Sequence, residues 1–154
     1  MNGWTIDRDG PEVLDREACL RLLAGRSLGR LGLSIEALPV ILPVNFRLVD
    51  DRIVFRTSSG SKFDAATRHA VVAFEVDDMD PFGHTGWSVL VTGVAHQVDD
   101  PTELAALAGA GIPRRAPSEG EHVVELPLTM ISGRRISTPT RRGAGGRYDQ
   151  VGRR

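Results

Sequence analysis

The sequence has a single cysteine, Cys19, so no internal disulfide can form and no structural zinc can be held by thiols. A reducing cytoplasm is the compartment this predicts, with Cys19 packed as a small hydrophobe rather than used as a nucleophile. Long apolar runs are missing as well. The longest, 37–44, has eight residues and includes two prolines, against about 20 residues for a membrane span. Residues 1–10 are polar and no apolar core follows a basic start, so no secretory leader is expected. The four histidines (69, 84, 96 and 122) never fall at the close spacing of a helical metal pair, which argues against a metal site. No phosphate-binding loop of the form Gly-x-x-x-x-Gly-Lys-Ser/Thr occurs. The acidic stretch Glu75, Asp77, Asp78 and Asp80 lacks the glycine-punctuated loop of a calcium site and reads as a solvated strand end.

What is present suits one globular unit. At 154 residues, folding buries about 68–70% of the extended chain's surface, and 41% hydrophobic content is enough for a core. The net charge of −1 conceals an asymmetry: 12 basic and 19 acidic residues up to Gly133, then seven arginines against one acid. This divides the chain into an N-terminal extension at 1–13, a domain at 14–137, and an Arg- and Gly-rich tail at 138–154, expected to be mobile for want of apolar anchors. A basic arm can bind nucleic acid. The plainer reading is a solvated end, or one lying on an acidic partner subunit, and nucleic acid is not an expected partner.

Three helices follow from start signals. Asp15 caps one running to about Ala24, ahead of Gly25. Ser61 with Asp64 forms a capping pair for a helix of two turns ending near Arg68. Asp100, Pro101 and Glu103 start the third, which Gly109 and Gly111 end. The remainder alternates at the strand period. Residues 39–48 place Val40, Leu42, Val44, Phe46 and Leu48 on one face, with Asn45 and Arg47 on the other. Asp50-Asp51 turns the chain into a strand at 52–57. Residues 70–77 are apolar on both faces, as in a covered strand. The strand at 87–98 has Gly93 at its middle, where a bend or bulge would close a barrel. Residues 28–34 and 122–136 supply the others. Six or seven mostly antiparallel strands with few helices predict a mainly β (α+β) protein.

One junction carries possible chemistry. In residues 53–62 a strand ends in Arg56, Thr57, Ser58 and Ser59, and then Gly60, Ser61 and Lys62 start a helix. Free first-turn amides, two cations and three hydroxyls together make an arrangement suited to a phosphate. An ordinary capped helix with exposed basic residues gives the same pattern. Trp87 and Phe46 are strand aromatics, normally core or interface, that would serve as stacking platforms only beside such a site.

In order and spacing the chain resembles the pyridoxamine 5'-phosphate oxidase-like, FMN-binding split-barrel family, in its small bacterial branch. The likeness rests on Leu28-Gly29-Arg30-Leu31; Leu42-Pro43-Val44-Asn45-Phe46; Phe55-Arg56-Thr57 with Gly60-Ser61-Lys62; residues 72–77; residues 87–95; and Ile131-Ser132-Gly133-Arg134-Arg135-Ile136. The resemblance implies a six-stranded antiparallel split β-barrel and a homodimer with FMN in clefts at the subunit interface. Arg56, Thr57, Ser58, Ser59 and Lys62 would then hold the phosphate, and Pro43, Asn45 and Phe46 would line the isoalloxazine ring. Trp87 and Ser88 would approach from the partner or close the cleft, and Arg134 or Arg135 would stabilise charge on the reduced ring. The implied activity is an FMN-dependent oxidoreductase passing hydride or electrons from a reduced nicotinamide or deazaflavin to a small-molecule acceptor. It has no protein nucleophile and no metal, and a deazaflavin is an alternative resident cofactor. The chain is shorter than the vitamin-making oxidases and lacks their C-terminal arginine and histidine constellation, so pyridoxamine oxidation itself is not expected. A flavin-binding carrier, sensor or regulator without turnover is the alternative reading.

Overall fold

The computed structural model describes residues 11–114 and 120–136. In chain order the elements are β1 (Glu12–Leu14), α1 (Arg16–Ala24), β2 (Leu28–Ile35), β3 (Leu38–Asn45), β4 (Arg47–Val49) and β5 (Arg52–Ser58). They continue with α2 (Lys62–Thr67), β6 (Ala70–Asp80), β7 (Thr85–Gln97), α3 (Pro101–Ala108), β8 (Glu121–Pro127) and β9 (Met130–Ile136). All strand pairings are antiparallel, in the order β3-β2-β6-β7-β8-β5-β4, with β9 bridging β7 and β1. The sheet curls into a split barrel, and no helix among the described residues is long and apolar enough to cross a membrane.

Among the described residues nine strands stand where six or seven were expected, for local reasons. The apolar run at 39–48 is two strands: Phe46 leaves the ladder, its N–H bonding to the Ser27 carbonyl, and the chain passes from pairing with β2 to pairing with β5. The last segment likewise divides at Leu128. Glu12–Leu14, at the border of the expected extension, forms an edge strand on β9. The expected tail at 138–154 lies outside the described residues.

The helix starts fall where capping chemistry places them. Asp15 accepts from the Ala18 amide, Ser61 from Asp64, and Asp100 from Thr102 and Glu103. Gly93 marks the bend of the long β7. Residues 86–92 pair with β9, whereas His96 and Gln97 pair with β8, so one strand serves both lobes of the split barrel. The main core fills the barrel with Leu31, Phe46, Phe55, Phe74, Val91 and Leu126 among others, and Phe46 meets Phe74 edge-to-face at 4.9 Å. A smaller core of Val54, Val98, Leu107, Ile112 and Val123 lies between the outer side of β5–β8 and α3. Cys19 is buried in the main core, and burial pushes its thiol pKa up, consistent with an inert packing role.

Candidate functional site

The C-terminal ends of β3 and β5 and the start of α2 enclose a cavity of about 220 Å³, walled by Leu42, Pro43, Val44, Asn45, Arg56, Thr57, Ser58, Ser61, Phe63, Pro113 and Glu121. Five of the sequence-predicted residues, Pro43, Asn45, Arg56, Thr57 and Ser58, meet here although 10 residues separate Asn45 from Arg56.

Beneath the wall lies a polar hub. Asp64, buried in the third position of α2, accepts from Thr57 Oγ1 (2.7 Å), the Gly60 amide (3.1 Å), an Arg68 guanidinium nitrogen (2.7 Å) and His122 Nδ1 (2.8 Å). Burial alone would raise this carboxyl's pKa. The four donors outweigh it and hold the group well below the usual carboxylate range. Asp64 therefore does more than complete the cap, and His122 finds its partner at long range. Neither contact has a sequence signal beyond the Ser-x-x-Asp spacing.

The hub alters how an anion would be held. The Thr57 hydroxyl is committed to Asp64. The Ser59 amide bonds to the Gly120 carbonyl at 2.7 Å, and α2 has only six residues, so its dipole is small. Lys62 stands outside the cavity, its Nζ 2.8 Å from Glu36 Oε1, with both side chains more than 70% exposed at 72% and 71%. The Ser61 hydroxyl, which accepts the Asp64 amide, keeps its proton free to donate. Arg56 is the principal cation. Its side chain is 14% exposed and lies 3.7 Å from the Glu121 carboxylate, while its Nε is shut from solvent with no hydrogen-bond partner.

The remaining predicted residues lie elsewhere in this subunit. Phe46 is fully buried in the core. Ser88 pairs in register with Asp77 on β6 and with Arg134 on β9. Trp87, its neighbour, points to the opposite side of the sheet, half-buried against the core with the Arg26 guanidinium 5.4 Å from its ring centre. The strand pairing also brings two sequence-distant histidines together: His69 and His96 face each other with Nδ1 atoms 3.2 Å apart. No cluster of three or more metal-ligating side chains occurs among the described residues. The acidic stretch is largely paired, Arg30 bridging Glu75 and Asp77, and Arg26 binding Asp78. One Gly-x-Ser-x-Gly stretch, Gly25 to Gly29, runs from α1 into β2, the reverse of the strand-to-helix order of a hydrolase elbow.

The fold and site together define a small antiparallel split barrel with a mixed polar and apolar cleft at its strand ends, where the partly buried Arg56 stands. The chain belongs to the pyridoxamine 5'-phosphate oxidase family, whose profile matches residues 15–135. It is 46% identical over 97 residues to the uncharacterized protein Rv0080 of Mycobacterium tuberculosis, a match spanning 60% of this chain and 64% of that protein. Its fold is similar to that of the FAD binding protein from Mycobacterium smegmatis, with a TM-score of 0.75 and 34% identity over 82% of this chain and 99% of that one. It is also similar to a conserved protein of unknown function from Corynebacterium diphtheriae, with a TM-score of 0.67 and 30% identity over 80% and 96%.

Proposed function

We propose that this chain is a flavin-dependent oxidoreductase that holds the phosphate end of a flavin nucleotide against Arg56. The observation that carries this reading is the buried, unpartnered Nε of Arg56 at the wall of the cleft. A buried guanidinium donor without an acceptor costs about 1–3 kcal/mol, and a phosphate oxygen is the acceptor its planar fork suits. The residues present fit such a group: Ser58 and Ser61 offer hydroxyl donors beside Arg56, and Pro43, Leu42 and Phe63 offer apolar surface for a ring system. The bound flavin supplies the redox chemistry, accepting and releasing electrons without a protein nucleophile. The chain's own part is to bind, orient and shield. The Asp64 hub fixes the β5–α2 junction, and Glu121, the only carboxylate on the described wall, balances the charge of Arg56 until an anion enters. A reduced nicotinamide or deazaflavin as donor and a small molecule as acceptor complete the reading. The binding proteins among its relatives support flavin over other anions.

The functional unit in this reading is a homodimer. Directly paired residues on β3, β2, β6, β7 and β9 form a row, Ile41, Gly32, Ala73, Thr92 and Met130, across one open face of the sheet. Val71, Ile41 and Met130 on that face are 77%, 73% and 65% exposed. Pro43 and Asn45 at the cleft, and Ser88 with Arg134, lie on the same face, so a twofold-related copy seated there would bring its Ser88 and Arg134 toward the first copy's cleft. The lone buried Cys19 is in keeping with a cytoplasmic setting.

The test is the absorption spectrum of the purified protein and chromatographic identification of the released chromophore. A yellow protein whose colour is bleached anaerobically by a reduced nicotinamide or deazaflavin and restored by an acceptor is the expected result. A yellow protein inert to every donor leaves a carrier or sensor. A colourless one that takes up no flavin overturns the reading.

A further inference from the structure

The β6–β7 ladder runs from Asp80 opposite Thr85 to Ala70 opposite Ala95, and its register, carried one pair further, sets His69 opposite His96. The two imidazoles meet there with their Nδ1 atoms 3.2 Å apart, ring centres 5.3 Å apart and planes at 69°. We propose that this pair chelates a late first-row divalent cation of the zinc and copper type. Neither histidine lines the flavin cleft, so the site stands independently of the flavin reading.

The spacing of the donors comes first. Zinc lies about 2.0–2.1 Å from an imidazole nitrogen. Two nitrogens 3.2 Å apart, each at that distance, subtend about 100–106° at the ion. That is close to the tetrahedral angle, so the pair is already spaced as two ligands of one ion. The last side-chain torsion of histidine is broad, and both lone pairs can turn onto a common point at little cost. The backbone comes second. His69 follows Arg68, the C-cap of α2, and is left-handed with φ of 50°, at a position where glycine or asparagine is the usual choice. Histidine tolerates this conformation, and the turn it makes carries the ring across to β7. The neighbouring charges come third. Glu125, opposite His96 on β8, is held at 2.5 Å by Arg52, which also binds Glu103 at 3.2 Å. These carboxylates are committed to Arg52, so the protein supplies two nitrogen ligands and water fills the other positions. Imidazole donors suit zinc and copper, whereas magnesium takes oxygen ligands. A proton shared between two rings gives the same contact, and a metal titration separates the two cases.

The full chain, stripped of metal with a chelator and titrated calorimetrically, is expected to take up one equivalent of zinc. Copper(II) should bind more tightly than zinc, and magnesium should give no binding. Zinc should also raise the melting temperature of the native chain, as any ligand of the folded state does. His69→Asn keeps a residue that accepts positive φ and removes the imidazole; His96→Asn removes its partner. Each should weaken zinc at least about tenfold, one decade in Kd, and abolish the thermal shift. His84→Asn, on the β6–β7 turn, should change neither reading. No zinc uptake by the native chain, uptake unchanged in both the His69 and His96 variants, or magnesium bound as tightly as zinc would each overturn the site.

Discussion

The Asp64 carboxylate sits inside the fold with four donors around it, and this ties acid stability to one side chain. Its folded pKa lies below its ordinary value of 3.8. The ionised form therefore stabilises the native state fully above the unfolded pKa, and that contribution is lost as pH falls below about 4 toward the folded value. Asp64→Asn should cost about 2–4 kcal/mol at neutral pH and flatten the acid limb of a stability-versus-pH curve measured by urea denaturation. An unchanged slope below pH 4 would show that the hub carries no linkage. The same scale separates the two cations near the cleft. Arg56→Ala should weaken flavin binding by roughly ten- to a hundredfold, the scale of one or two charge-assisted hydrogen bonds. Lys62→Ala should change it by less than about threefold, because an exposed pair with Glu36 carries little free energy. Comparable losses in the two titrations would show that Lys62 swings into the site. The sequence revealed Arg56 and Ser58 because strand end, glycine and helix cap are contiguous. It did not reveal the long-range partners of Lys62 or Asp64, since Glu36 and His122 come from distant parts of the chain and no local spacing marks them.

At the scale of elements, caps and turns were the readable features. The Asp50-Asp51 turn has both residues left-handed, with φ of 45° and 58°, which matches the twist of the β4–β5 hairpin. The β2–β3 hairpin turns the same way on Glu36 and Ala37, at φ 50° and 66°. Ala37 has no side-chain hydrogen bond to offset that conformation, so the turn went unrecognised in the sequence. Ala37→Gly should raise stability by a few tenths to about 1 kcal/mol, relief of left-handed strain being partly offset by a more flexible unfolded chain. Gly29 tells the opposite story. A methyl added there would overlap the Phe74 ring, itself locked against Phe46 in the core. Gly29→Ala should therefore cost about 1–3 kcal/mol, read as a lowered melting temperature, and a melt equal to the native one would show that the ring can yield. The Leu-Gly-Arg-Leu motif thus has a packing reason, close approach of β2 to β6, independent of any ligand.

At the scale of the whole molecule, the strand at 70–77 shows where alternation misleads. Val72, Phe74 and Val76 are buried, as their side of the strand predicts, whereas Val71 on the other side is 77% exposed in the single subunit. An apolar pattern on both faces calls for cover on both, and one chain supplies only one. Arg30, Glu75 and Asp77 sit on the open face as a mutually paired patch, giving a self-complementary surface the mixture of apolar centre and charged groups that a twofold contact uses. The native chain should sediment at twice its mass of 16.7 kDa. Val71→Glu places a charge opposite Val94 on that face and should shift the protein to monomer. If the partner's Arg134 completes the cleft, the monomer should also bind flavin at least about tenfold more weakly, although none of its own cavity residues has changed. A native chain that is monomeric at micromolar concentration with flavin bound one to one would confine the site to a single subunit. A Val71→Glu monomer with undiminished affinity would keep the dimer and remove Arg134 from the site.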